Sequence, residues 1–280
     1  MTLLLKTKKV FSQIFFWLGI GVLSLIIAFP LYWMIITSLK PYSEIYNRTA
    51  TFFPHTLYLN HYVSIVKDGF FIYYKNSLIV ASCATFFSVL TAIIAAYSLS
   101  HFRYRGREIL SQMSLFVYLF PAAVLFIPLL ILINFLHLVD TPYSLMITYP
   151  VFGMPFATWL LTGYFSTIPR ELEEAARVDG CSRIGALFRV ILPVTLPGVI
   201  TATVYCFLLS WNELLYAFTF ISSDSNKTLP MWLSERILGD VYMWGELMAG
   251  AILMLSPIII MYVFGQKYIV RGLTAGAVKE

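Results

Sequence analysis

The sequence predicts an all-α membrane protein with six transmembrane helices, both termini on the cytoplasmic side, and a charged cytoplasmic loop between the fourth and fifth helices. Three observations carry this. First, 59% of the residues are hydrophobic and only 12% charged, with a mean hydropathy of +0.80. Soluble domains are typically about 45–50% apolar and about 25% charged. Second, six stretches hold no Asp, Glu, Lys or Arg: Val10–Leu39, Asn76–Phe102, Ile109–Val139, Thr141–Pro169, Val190–Asn212 and Leu247–Gln266. Each supplies the roughly 20 apolar residues that cross a ~30 Å hydrocarbon layer. Third, Lys and Arg are distributed unevenly among the connections.

Helices and closed barrels alone satisfy every backbone group inside lipid. Barrel strands are about ten residues long with alternating polarity, and these stretches are longer and do not alternate. The expected spans are 12–38, 77–99, 110–135, 143–166, 197–221 and 246–266, in a single domain covering 1–280. The first has a basic start. Its apolar run is longer than the roughly 7–15 residues of a signal peptide, and no small-residue cleavage site follows. It is therefore read as helix one. With the N-terminus inside, thirteen of the 19 Lys and Arg fall on inner segments and six on outer ones, which is the positive-inside pattern.

Further elements follow from local signals. The outer connection from about Lys40 to Lys75 is rich in aromatics, which favour the headgroup level. Pro30, Pro121, Pro128, Pro150, Pro155 and Pro257 lie within spans, and they either kink helices along a path or only shape packing. Cys83, Cys181 and Cys206 are isolated. With no CxxC pair or His cluster, no metal site is expected. The basic residues are divided among short loops, which argues against nucleic acid. No GxxxxGK[ST] phosphate loop is present, so the chain cannot itself be a nucleotide hydrolase of that type.

The exception to the apolar character is "RELEEAARVDGCSRIGALFRVILP". Arg170, Glu171, Glu173, Glu174, Arg177, Asp179, Arg183 and Arg189 all fall within twenty residues. Pro169 suits a first helical position, the glutamates complement the positive end of a helix dipole, and Gly180 suits a stop. Leu172, Ala175 and Ala176 share one expected face. Ser182 is an expected N-cap for a second short helix striped by Ile184, Leu187, Phe188 and Ile191. A loop this short has no core of its own. Its amphipathic helices must lie on lipid, on this chain or on another protein, and its acidic first half disfavours anionic lipid.

This stretch resembles the EAA loop of ABC importer permeases, whose pattern is E-A-A, three residues, G, nine residues, then I-x-L-P. Here the match is Glu174-Ala175-Ala176, Gly180 and Val190-Ile191-Leu192-Pro193, with Val190 in place of Ile. "NSLIVASCATFFSVLTAIIAAYSLSHFRYRGRE", "WNELLYAFTFI" and "QKYIVRGLTAGAVKE" are similar to the carbohydrate-uptake branch, in particular to the smaller permease of the maltose importer. The similarity covers roughly residues 12–280.

The resemblance implies a multi-pass protein of a bacterial-type inner membrane. It further implies that Glu174, Ala175, Ala176, Asp179, Gly180, Leu192 and Pro193 form a coupling element that docks on an ATPase. Gly272, Leu273, Thr274 and Gly276 in the tail are expected as a second contact with that ATPase. The implied partners are a second homologous permease, a dimer of cytoplasmic ABC ATPases, an extracytoplasmic solute-binding protein and membrane lipids. No cofactor is expected in this chain, because ATP and Mg would be held by the ATPase. The solute would be a sugar or a related polyol or glycoside.

Polar groups inside spans suggest function. Tyr118, Ser210, Asn212 and Glu213 are the expected translocation-path residues, with Asn134, Tyr149 and Glu246 weaker. The alternatives are a self-sufficient secondary transporter or channel, a membrane enzyme and a purely structural subunit. Carriers usually show repeated halves with matched broken helices, and neither feature is present. The four histidines are scattered, which speaks against an enzyme.

Overall fold

The protein is described from a computed structural model covering residues 2–237 and 242–277, with side chains described for 13–237 and 242–268. The described residues are helical, with no strand among them. In chain order the helices are α1 (Thr2–Ser38), α2 (Tyr42–Ile45), α3 (Asn60–Lys67), α4 (Phe70–His101), α5 (Arg107–Leu119) and α6 (Phe126–Phe135). They continue with α7 (Pro142–Ser166), α8 (Arg170–Val178), α9 (Arg183–Ala186), α10 (Leu192–Val194) and α11 (Leu196–Trp211). The last four are α12 (Leu215–Phe220), α13 (Leu229–Ser234), α14 (Trp244–Met254) and α15 (Ser256–Ala277).

Four segments are long and apolar enough to cross a membrane: Gln13–Ser38, Phe70–His101, Pro142–Ser166 and Trp244–Tyr268. Two bent pairs raise the number to six. Arg107–Leu119 and Ala122–Phe135 meet at 91°, and Arg183–Val194 and Leu196–Trp211 at 84°. The first bend falls at Pro121, whose φ of −60° and ψ of 121° take the chain out of helix. The stretch read as one span over 197–221 is interrupted. Helix α11 ends at Trp211, and α12 begins at Leu215.

The chain divides into two compact units. One comprises residues 1–69 and 233–253, the other 70–232 and 254–280. In the first unit, His61 packs edge-on against Tyr42 and Tyr58, with ring centroids 4.7 and 4.8 Å away, and its Nε2 lies 2.8 Å from the Lys40 carbonyl. A β-carbon at Gly245 would stand 2.2 Å from that nitrogen. Glu246 accepts from the Ser64 hydroxyl at 2.7 Å and lies 3.4 Å from Arg236 Nε. Burial, with the Glu246 carboxylate adding, pushes the Tyr42 phenol up to about 12.

The second unit is built on α4, α7 and α11. Helix α4 buries Ala81, Ala84, Ser88, Ala92 and Ala96, a ridge of small residues that lets backbones approach. Gly198, Ala202, Cys206 and Ser210 recur every four residues on the buried side of α11. The three helices meet at Gly153, where a β-carbon would stand 3.2 Å from both Cys206 Sγ and Ser88 Oγ. Several hydroxyls inside the bundle bond back along their own helices. Ser88 donates to the Ala84 carbonyl at 2.7 Å and Thr162 to that of Thr158 at 2.7 Å, which satisfies polar groups without water.

Elsewhere in this unit, Asp140 adopts a left-handed φ of 60°. Its Oδ1 accepts from the amides of Ser222 and Ser223 at 2.9 and 2.8 Å. Donation from the Ser223 hydroxyl and then from these amides holds the carboxyl below the usual aspartate value.

Candidate functional site

The charged segment forms a helix–turn–helix joined to the end of α7 and the start of α11. Pro169 stands at the N-cap of α8. At the other end, the Cys181 amide donates to the Ala176 carbonyl at 3.0 Å and the Gly180 amide to that of Arg177 at 3.1 Å. Gly180 has φ +90°, so this is a Schellman closure that favours glycine. Ser182 then caps α9 by accepting from the Gly185 amide at 3.1 Å. Past Ala186 the helix widens into a π turn over Leu187–Ile191, and the Leu192 amide reaches back to the Leu187 carbonyl.

One side of this element is tied to the bundle. Ala186, Leu187 and Ile191 are buried, the last two in a cluster with Ile93, Ala96, Leu161 and Phe165. In α8 the inward residues are Glu173 and Ala176. The expected face of Leu172, Ala175 and Ala176 is therefore split. Ala176 points in, while Leu172 and Ala175 are exposed. The stripe of the second helix divides in the same way, with Leu187 and Ile191 buried but Ile184 and Phe188 exposed. The cause is one inward carboxylate. Glu173 Oε1 accepts from the Tyr97 hydroxyl at 2.8 Å, and Oε2 lies 3.8 Å from His101 Nε2. Anchoring Glu173 rotates its helical neighbours Leu172 and Ala175 outward. Arg183 covers the Phe102 ring at 5.2 Å, beside the same cluster.

Sequence reasoning missed Glu173 as an anchor. Its one legible trace is Tyr97 and His101 spaced four apart at the end of α4, where both face the loop. The remaining coupling residues are placed as follows. Glu174, Ala175, Asp179, Gly180 and Pro193 are exposed, and Leu192 is half-buried against the bundle. The exposed apolar residues around them are Leu172, Val178, Ile184 and Phe188. Gly272, Leu273, Thr274 and Gly276 belong to the backbone of α15. Their side chains lie outside the described residues.

The residues expected along the path are only partly brought together. Tyr118 and Glu213 line one cavity of about 380 Å³ with Phe152, Leu209 and Tyr216. Ser210 is buried in α11, and the Asn212 amide turns back to the Leu208 carbonyl at 2.8 Å. Glu213 lies beyond the end of α11. Its carboxylate accepts from the amides of Tyr216 and Ala217 at 2.8 and 3.1 Å, closing the first turn of α12. Beside the cavity, Tyr118 meets Phe156 at 5.2 Å and Tyr205 at 6.3 Å, and Phe156 and Tyr205 meet at 3.9 Å. Phe156 and Tyr205 were not singled out from the sequence, where they do not differ from packing aromatics. No group of three or more His, Cys, Asp or Glu suited to a metal occurs among the described residues.

Residues 88–275 match the family described as "Binding-protein-dependent transport system inner membrane component". The chain belongs to this family. The matched region contains the C-terminal part of α4, all of α7 and α11, and the whole charged element. The permease is 38% identical over 275 residues to the "Inner membrane ABC transporter permease protein YcjP" of Escherichia coli (strain K12), covering 97% of this chain and 98% of that one. It is 34% identical over 252 residues to the "Sulfoquinovosyl glycerol transport system permease protein SmoH" of Agrobacterium fabrum (strain C58 / ATCC 33970), covering 90% and 88%.

The fold is also that of a chain in the crystal structure of a bacterial ABC transporter involved in the import of the acidic polysaccharide alginate. That match has a TM-score of 0.78 and 24% identity, and covers 90% of this chain and 94% of that one. The permease is thus a multi-pass inner-membrane subunit of an ABC transporter, and its family works with a binding protein and an ATPase.

Proposed function

We propose that this chain is the non-catalytic half of a heterodimeric import channel for a sugar or a related polyol or glycoside. A second homologous permease completes the path. An extracytoplasmic binding protein delivers the solute, and a dimer of ABC ATPases, holding ATP and Mg, supplies the energy. Both termini of this chain are cytoplasmic on this reading. The sugar class follows from the sulfoquinovosyl glycerol transport role of the relative SmoH and from the resemblance to carbohydrate permeases.

The observation that carries the reading is the two-sidedness of α8. Glu173 and Ala176 hold the helix to the bundle, while Glu174, Leu172, Ala175 and Val178 are left uncovered. Docked on that uncovered side, the ATPase dimer moves α8 when it closes on ATP. Because Glu173 joins α8 to the end of α4, the displacement passes to the membrane helices as a rigid shift. ATP and loaded binding protein favour different states of the path, and that differential stabilisation gives direction. The tail from Gly272 to Gly276 is a second contact with the ATPase. Tyr118 and Glu213 line the solute path of this half, with Phe156 and Tyr205 as flat aromatic faces beside it.

The test is Glu174→Lys. The reversed charge on the uncovered face abolishes co-purification of the ATPase while the permease itself remains folded. Unchanged assembly and transport would overturn the docking assignment. For the path, a cysteine at Glu213 or Asn212 becomes reactive to a membrane-impermeant thiol reagent in one nucleotide state and is protected by solute. Silence in every state removes those residues from the path.

A further inference from the structure

A basic cavity of about 510 Å³ lies where three membrane helices end, and the transport reading makes no use of it. Arg103 and Arg107 flank the turn between α4 and α5, and Arg170 opens α8 directly after α7. All three line the cavity, with Tyr104 and a single carboxylate, Glu108. None of the three guanidinium groups is ion-paired with a carboxylate among the described residues. Arg107 Nη1 donates to the Phe102 carbonyl at 3.3 Å, so one of its donors is held and the others are available. Guanidinium groups are suited to bidentate recognition of phosphate oxygens.

A second observation narrows the ligand. Tyr104 also lines a separate groove of about 460 Å³ between α4, α5 and α7. That groove is apolar, formed by Leu99, Leu110, Met113, Met154 and Pro155. A cationic chamber at the helix ends thus shares a wall with an apolar trough running along the spans. A free phosphate or an acidic peptide would use the first and leave the second empty. A phospholipid, with its phosphodiester at the boundary and its chain along the helices, fits both.

We propose that this is a site for one anionic phospholipid. Its phosphate is held by Arg103, Arg107 and Arg170, and one acyl chain lies in the α4–α5–α7 groove. Basic pockets between membrane helices are a known way of binding such headgroups, and each Arg near the surface contributes attraction to anionic lipid. Because Arg170 is the first residue of α8, the lipid would bridge the bundle and the coupling element. The proposal rests on the membrane reading of the chain and not on the identity of the solute.

The experiment is native mass spectrometry of the full chain purified in a mild detergent after exposure to mixed phosphatidylethanolamine and phosphatidylglycerol. One phosphatidylglycerol remains bound to the wild type. Arg103→Gln with Arg107→Gln lowers its retention by about tenfold or more. Met113→Trp, which fills the trough and leaves the arginines intact, lowers it as well. A wild-type measurement guards against misfolded variants: phosphatidylglycerol in nanodiscs raises the melting temperature above that in phosphatidylethanolamine alone, and inorganic phosphate in detergent does not. Three results overturn the proposal. These are equal retention of both lipids by the wild type, a full stabilising effect from inorganic phosphate alone, and loss of ATPase assembly in the arginine variants with lipid retention unchanged.

Discussion

The α4–α7–α11 bundle and the α8–α10 element treat apolar residues in opposite ways. In the bundle, small residues such as Ala81, Ala84, Gly153, Gly198 and Ala202 bring helices together, and large residues on the facing sides, such as Leu161 and Phe165, are fully buried. In the loop element, Val178 is 87% exposed and Ile184 69% exposed. Both lie beside residues such as Leu187 and Ile191 that are fully enclosed. The contact between α4, α7 and α11 is closed within the chain, and the loop leaves one apolar side uncovered. The uncovered apolar residues of the loop fit the docking role proposed for it.

The sharpest way to break the comparison is to put bulk into the bundle. A β-carbon at Gly198 would stand 2.5 Å from the Tyr164 ring. Gly198→Val therefore destabilises by about 3 kcal/mol or more, seen as a large fall in melting temperature or as loss of folded protein in detergent. Glu173→Ala acts at the seam between the two regions. It leaves the Tyr97 hydroxyl with only the long contact to the Arg183 carbonyl at 3.5 Å, at a cost of about 1–3 kcal/mol. Glu173→Gln keeps an acceptor and recovers most of the stability. If the alanine variant melts like wild type, the seam is not held by this contact.

A smaller effect is expected at Asp140, which joins the α6–α7 turn to the segment after α12. Its folded value is lowered, so its contribution is complete above the ordinary aspartate value of 3.8 and is lost as pH falls through the lowered one. Protection of the Ser222 and Ser223 amides against hydrogen exchange therefore declines in strong acid. In Asp140→Ala that protection is low at every pH. The smallest structural effect belongs to Val178→Asp, within about 0.5 kcal/mol for melting. The same substitution weakens ATP-driven transport by disturbing the uncovered face. A large loss of stability from Val178→Asp, or none from Gly198→Val, would erase the distinction between the two regions.

Much of this was legible in the sequence because the signals are local. Charge-free runs give the helices, Gly180 gives the turn that only a left-handed residue closes well, and Ser182 gives the cap. What failed to be legible depends on long-range geometry. Helical spacing places Leu172, Ala175 and Ala176 together, but one buried carboxylate decides which side faces in. That carboxylate's partners, Tyr97 and His101, are more than seventy residues away. Glu213 was readable as a polar group at membrane depth. Its use in closing the first turn of α12 was not, because the break after Trp211 carries no proline or glycine to announce it. The pairing of Phe156 with Tyr205 depends on how α7 and α11 cross.

The 84° corner at Thr195 has a mechanical meaning. The arm from Arg183 to Val194 has twelve residues and is about 18 Å long at 1.5 Å per residue. Its buried residues Leu187 and Ile191 clamp it along one edge. On the coupling role proposed above, such an arm would work as a bell crank. Force applied across its free end near Gly180 becomes torque about the corner, and a rotation of about 10° would carry the far end by about 3 Å. The upright limb, α11, would tilt with it. On that reading, a pull in the plane of the membrane would be turned into a lean across it.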